Sequence, residues 1–335
     1  MIIKYRTIYL TLILSFFIGV CILGEFVFSS TMGKDALLIA NMEVEDIQLG
    51  SSYGMMAWLY QMIPSSLILV VTIFIGSMFI LNVFKDANKN YNLLLLLFLC
   101  SVPCVLTISS FQKDLILVLF IIPVTMLILS NINNFAKLIL ISAIYISYAV
   151  VFRSYYYLIT ILFVGIYFFK VSNGHIRLSI ILASICVFLL IPNTVYYSLQ
   201  SSRDLVNLHR VGVNGEGYRT AFLNPLSPDS FFNFLYNYVY AILRLNFGFF
   251  FNSSIKDLVF MIYPLIYYYY VFKGLISQQV DKNFFAASLV LSHALVYFLF
   301  EPDTGSYARH LSSTLPYLAI VIASGFNMQK KYNFD

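Results

Sequence analysis

Apolar runs of about bilayer length recur along almost the whole sequence, and no other feature restricts its fold so tightly. A helix needs roughly 17–25 apolar residues to cross the hydrocarbon layer. Inside that layer, backbone N–H and C=O groups have no water to bind, so only helices and closed barrels can span it. Candidate runs lie at 7–28, 63–84, 92–110, 115–130, 138–152, 154–169, 178–197, 258–272, 284–300 and 311–327. Residues of the A/V/I/L/M/F/W/Y/C type make up 60% of the chain and charged residues 10%, against about 25% charged in a soluble domain. A water-soluble fold is excluded. The expected fold is all-α: a polytopic membrane helix bundle of about ten spans, forming one transmembrane domain over residues 1–335 with outer loops at 29–62 and 198–257.

Charge sets the expected orientation. Lys4 and Arg6 precede the first run as in a signal sequence, but no small-residue cleavage site follows, so the run reads as an uncleaved anchor. Phe-rich 231–251 is interrupted by Asn233, Asn237, Arg244 and Asn246. If it spans, the count is eleven; if it lies in the interface as an amphipathic element, the count is ten and both termini are cytoplasmic. With ten spans, the inner segments carry eleven basic residues against three acids, and the outer ones nine against twelve. This is the lysine-rich inner side that membrane insertion favours. One joint is ambiguous: 138–169 is long for one helix and short for two, with Arg153 at its middle.

Six of the eight arginines fall on the outer side: Arg153, Arg203, Arg210, Arg219, Arg244 and Arg309. Positive charge there opposes the insertion bias. The guanidinium is a planar fork of donors that matches phosphate and carboxylate and stays charged when partly desolvated, so an anionic ligand such as a lipid-linked diphosphate is expected. The bland alternative is pairing with the outer acids or with lipid phosphates. Asp35, after the first span, is placed to serve as general base for a sugar hydroxyl, whereas Glu43, Glu45 and Asp46 read as a solvated acidic loop. Lys113 and Asp114 mark a membrane edge. The stretch from Glu301 to His310, including Asp303, Tyr307 and Arg309, is the densest titratable segment, and the helix expected to start near Arg309 and His310 would aim its N-terminal amides at an anion. His293, inside an apolar run, reads as a hydrogen-bonded packing residue. Phosphate-cradling glycine loops, zinc spacings and nucleic-acid signatures are lacking, so no cofactor, metal or nucleic acid is expected.

The order of these features resembles the Wzy-type polymerases of bacterial O-antigen or capsule repeat units, within the wider multi-span glycosyltransferases of the C superfamily. The likeness lies in Gly33-Lys34-Asp35-Ala36 after the first run, Tyr-rich sequence before the second and Ile80-Leu81-Asn82 at its end. It continues through Phe111-Gln112-Lys113-Asp114 and Phe152-Arg153-Ser154-Tyr155, a large outer loop, and Thr304-Gly305-Ser306-Tyr307-Ala308-Arg309-His310. The chain is short for that group, and its large loop lacks a duplicated arginine motif.

The resemblance implies metal-independent transfer of a glycan from undecaprenyl diphosphate to the end of another lipid-linked repeat unit, on the periplasmic face of the inner membrane. Flippase and chain-length-regulator proteins of the same pathway, together with membrane lipids, would be its partners. On that reading Arg153 and Arg309 bind the diphosphate, assisted by Lys113 and Arg210. Asp35 or His310 takes the acceptor proton, Asp114 orients Lys113, and Asp303 orients His310, with Arg244 and Tyr307 in support. Two other readings stay open: a C-superfamily transferase using a polyprenyl-phosphate sugar donor, and a non-catalytic lipid-linked oligosaccharide flippase or transporter.

Overall fold

The computed structural model describes residues 5–27, 38–42, 49–85, 91–214 and 221–332, and every regular element among them is helical. In chain order the helices are α1 (Tyr5–Val27), α2 (Ser52–Met62), α3 (Ser65–Val83), α4 (Tyr91–Ile108), α5 (Lys113–Leu129), α6 (Asn134–Val151) and α7 (Tyr156–Val171). There follow α8 (Gly174–Leu190), α9 (Asn193–Asn214), α10 (Phe231–Asn246), α11 (Ile255–Ile276), α12 (Lys282–Phe300), α13 (Thr304–Ser312) and α14 (Leu315–Tyr332). They pack as two compact units, one of Met1–Ile161, Tyr270–Val290 and Ser312–Asp335, the other of Leu162–Tyr269 and Leu291–Leu311.

Helix starts follow local chemistry. Asn133 accepts from Ala136 N at 2.7 Å, Asn173 from Ile176 N at 3.0 Å, and Ser230 from Asn233 N at 3.3 Å, satisfying amide groups that a first turn leaves open. The ambiguous stretch 138–169 resolves into two helices, α6 and α7, broken at Phe152–Tyr155.

Among the described residues, five helices are long and apolar enough to cross a membrane: Tyr5–Gly24, Ser65–Val83, Asn134–Val151, Ile255–Ile276 and Lys282–Phe300. A sixth arises if Gly174–Leu190 and Asn193–Leu208, bent by 89° at Ile191–Pro192, count as one broken span. The sequence alone suggested about ten. The difference has a length cause: Leu93–Ile108, Tyr156–Val171 and Leu315–Ser324 are apolar but short, and 16 residues rise only about 24 Å against a layer of about 30 Å. The pattern is that of a membrane-embedded helical protein.

One further expectation is corrected, and one is filled in. The stretch 198–257, expected to hold an amphipathic element, is largely helix, through Asn214 and again from Phe231 to Asn246. Its second helix, α10, is amphipathic and is not among the spanning candidates. The run 311–327 does not begin a helix at Arg309: α13 ends at Ser312 and α14 starts at Leu315.

In the first unit α1 packs on α3 and α4, while α14 packs on α3, α4 and α5, with Leu315, Tyr317, Leu318 and Ile322 fully buried. Where α1 meets α3, a Cβ at Gly76 would lie 2.2 Å from Cζ of fully buried Phe17, so only glycine permits this approach. At Gly165 nothing lies within 4 Å of an added Cβ. Gly76→Ala should therefore lower the thermal midpoint of the detergent-purified protein, by overpacking of about 1–3 kcal/mol. Gly165→Ala should hold or raise it through helix propensity of up to about 1 kcal/mol.

Candidate functional site

In the first unit the polar chemistry gathers where helices end. α6 closes with Phe152 N and Arg153 N both donating to Tyr148 O, at 2.9 and 3.4 Å, and Tyr156 N donates to Arg153 O at 3.0 Å. This turn holds Arg153, 6% exposed, in the interior. Its Nη1 donates to the Tyr155 hydroxyl at 2.7 Å and its Nη2 to Asp114 Oδ1 at 3.4 Å. Asp114 is buried in the first turn of α5, where the helix macrodipole favours a carboxylate. Neighbouring Lys113 places Nζ 4.3 Å above the Tyr53 ring. The Tyr148 hydroxyl is buried with no hydrogen-bond partner among the described residues. Arg153 is thus paired with a carboxylate and a phenol, and Lys113 lies on a phenol ring; guanidinium and ammonium groups of this kind suit an oxyanion.

In the second unit the densest site forms at the end of α12. Glu301 continues that helix, its N donating to Tyr297 O at 2.8 Å. Its Oε1 accepts from His310 Nδ1, and its Oε2 accepts from the Ser306 hydroxyl at 2.5 Å. Glu301 and His310 are both buried. Burial alone would raise the Glu301 carboxyl; the charge and hydrogen bond of His310, the Ser306 hydroxyl and the charge of Arg309 outweigh it and hold the carboxyl below its usual range. A carboxylate on Nδ1 sets the histidine tautomer and leaves Nε2 as the proton-accepting nitrogen.

The residues expected from sequence fall as follows. In the first unit Arg153 pairs with Asp114, not Asp114 with Lys113, which precedes it in α5 and lies over Tyr53. Asp303, Tyr307, Arg309, His310 and Arg244 belong to the second. The carboxylate on His310 is Glu301; Asp303 instead accepts from Ser306 N at 2.9 Å, capping α13. Tyr307 is fully buried and pairs its hydroxyl with that of Tyr268. Arg244 lies 4.6 Å from the Phe251 ring and donates to Ala221 O at 3.4 Å. Arg309 and His310 occupy the last turn of α13, not the first turn of a helix. The expected contribution of N-terminal amides is therefore replaced by the carbonyl end, which favours cations. Asp35 and the side chain of Arg210 lie outside the described residues.

Arg203, from the expected arginine cluster, is the largest fully buried side chain among the described residues and is bound by protein. Nη1 donates to Phe298 O at 3.1 Å, Nη2 donates to Asn224 Oδ1, and Nε lies 3.5 Å from Asp204. Asn224 Nδ2 in turn donates to both Asp204 oxygens, at 2.8 and 2.7 Å. Pairing with an acid, the bland alternative weighed from sequence, describes Arg203. The sequence places Glu301 and Asn224 within polar stretches but gave neither a role, and Tyr148 was missed; a carboxylate directly after an apolar run and nine residues before a histidine was the available signal for Glu301. His293 is fully buried, with Nδ1 and the Tyr297 hydroxyl 2.8 Å apart. Among the described residues no group of three or more His, Cys, Asp and Glu side chains is placed to hold a metal ion.

No family model, curated protein or solved structure matches this chain.

Two outcomes are expected. Asp114→Ala leaves the Arg153 charge buried without its carboxylate and should cost about 3–5 kcal/mol; Arg153→Met in the same chain should recover part of that loss in thermal unfolding. For Glu301, whose carboxyl is depressed in the folded state, the stabilisation is complete above the ordinary glutamate value of about 4.3 and is lost as pH falls through the lower folded value. The thermal midpoints of wild type and Glu301→Gln should therefore differ at neutral pH and converge in acid.

Proposed function

We propose that this chain is a membrane glycosyltransferase that polymerises undecaprenyl-diphosphate-linked oligosaccharide repeat units, of the O-antigen or capsule kind, on the periplasmic face of a bacterial inner membrane. The proposed topology has ten spans with both termini cytoplasmic, the shorter apolar helices crossing with help from interfacial side chains or local bilayer thinning. The observation that carries the reading is the Glu301–His310 pair: a buried carboxylate holding an imidazole, beside Arg309, where an apolar helix ends.

The chemistry follows from those groups. His310 Nε2 removes the proton from the acceptor sugar hydroxyl as the oxygen attacks the anomeric carbon of the donor glycan. The new glycosidic C–O bond forms as the bond from that carbon to the diphosphate oxygen breaks, and the electron pair leaves with the diphosphate. Glu301 holds Nδ1–H and stabilises the imidazolium. Arg309 offsets charge developing on the departing diphosphate, a role guanidinium groups fill by preorganised electrostatics. Arg153 with Lys113 is assigned to a lipid diphosphate headgroup. Between the two bases left open by the sequence, the carboxylate on its Nδ1 favours His310.

The test is replacement on the chromosome with matched protein levels, followed by sizing of the surface polysaccharide. His310→Ala should reduce long chains to single capped units, consistent with the roughly 10²–10⁴-fold contribution of a general base, and Glu301→Gln should shorten them. Normal chain lengths in His310→Ala would refute the assignment. Long chains of altered composition would identify a side-branch transferase instead.

A further inference from the structure

The end of α12 contains a defect that its sequence makes unavoidable. In an α-helix the carbonyl of residue i accepts from the amide of i+4. The ladder runs on to Glu301 N, which donates to Tyr297 O at 2.8 Å. The next carbonyl, Phe298 O, faces residue 302, a proline, which has no N–H to give. Phe298 is buried, so an unsatisfied carbonyl there would carry the full desolvation penalty. The donor comes from elsewhere: Arg203 Nη1, 95 residues away in sequence, reaches Phe298 O at 3.1 Å.

That guanidinium is itself fixed. Asn224 accepts from Nη2, Asp204 lies against Nε, and the Phe222 ring centroid lies 5.1 Å from Arg203 Cζ. Asn224 also donates to Gln200 Oε1 at 3.1 Å, and Gln200 Oε1 accepts from Asn237 Nδ2 at 3.2 Å. A hydroxyl also grips the same helix end: Tyr238 of α10 donates to Leu295 O at 2.9 Å. The last turns of α12 are therefore held by α9, by 222–224 and by α10. Glu301 directly precedes Pro302, in the turn that starts at Phe298's carbonyl, so its carboxylate is aimed by whatever holds that turn.

We propose that Arg203 is a positioning residue: it supplies the hydrogen bond that Pro302 withholds from Phe298, and so fixes the turn from which Glu301 holds His310. The catalytic meaning rests on the acid–base role proposed for that pair; the positioning itself does not. It also gives 198–257 a task other than ligand binding, since Arg203, fully buried, is directed at a helix end.

Pro302 makes this testable. Replacing it with alanine restores a backbone donor in register with Phe298 O, so Pro302→Ala should make Arg203 dispensable for this one purpose. The readout is the far-downfield proton resonance of a histidine Nδ1–H bonded to a carboxylate. It would be recorded on the detergent-purified full chain and assigned by its loss in Glu301→Gln. The resonance should be present in wild type and in Pro302→Ala, lost in Arg203→Met, and regained in the Arg203→Met/Pro302→Ala double variant. Should Arg203→Met fail to accumulate in membranes, recovery of the folded protein by Pro302→Ala carries the same meaning. A signal that survives Arg203→Met, or a loss that Pro302→Ala does not reverse, overturns the proposal. Because this spectrum is independent of polysaccharide length, positioning and the enzymatic reading can fail separately.

Discussion

Backbone hydrogen bonding in a medium without water is the constraint from which the rest follows. An apolar helix satisfies its own amides and carbonyls along its length but not at its ends, and an unpaired group in hydrocarbon surroundings costs several kcal/mol. The chain has a charged residue in only about one position in ten, so polar side chains are scarce. Several lie where helices terminate: Asn133 and Asn173 at starts, Arg153 at the break after α6, and Asp303 at the start of α13. Termini are thus where the protein concentrates both its structural repairs and its candidate chemistry.

The stretch from Leu295 to His310 joins the two roles. Pro302 ends α12 and withholds an amide; Arg203 answers it; Glu301, in the same turn, takes His310 and Ser306. A carboxylate in this position would be driven toward its neutral form by burial alone, and its partners keep it ionised. The same low-dielectric surroundings that make an unpaired group costly strengthen these bonds once made. A charged pair assembled this way is preorganised, which is the property that proton transfer at a fixed hydroxyl requires.

Much of the fold was legible because it depends on local signals. Runs of Leu, Ile, Val and Phe specify helices, Asn and Ser specify their starts, and the polar break at Arg153 divided 138–169 into two helices. The 89° bend was not anticipated: it falls at Pro192, inside 178–197, which reads as a single span in sequence. Other features were hidden because they depend on distance or register. Hydropathy did not distinguish a run that crosses from one that folds as 16 or 17 helical residues, and the turn at Ser313–Thr314, just ahead of Pro316, lay inside an expected single run. Arg203 gave the sequence reader a charge but not its destination, a carbonyl 95 positions on. On paper Asp303 was the residue assigned to His310; helix geometry turns it to capping and gives the imidazole to Glu301 instead.

The most direct test is biochemical reconstitution. Purified protein in vesicles without any transmembrane gradient would be given a lipid-diphosphate-linked oligosaccharide, and the lipid-linked products sized by mass spectrometry. The account predicts growth by whole repeat units, with one lipid diphosphate released for each bond made. Oligosaccharide recovered unchanged in length from active wild-type protein, including material moved intact across the bilayer, would contradict it.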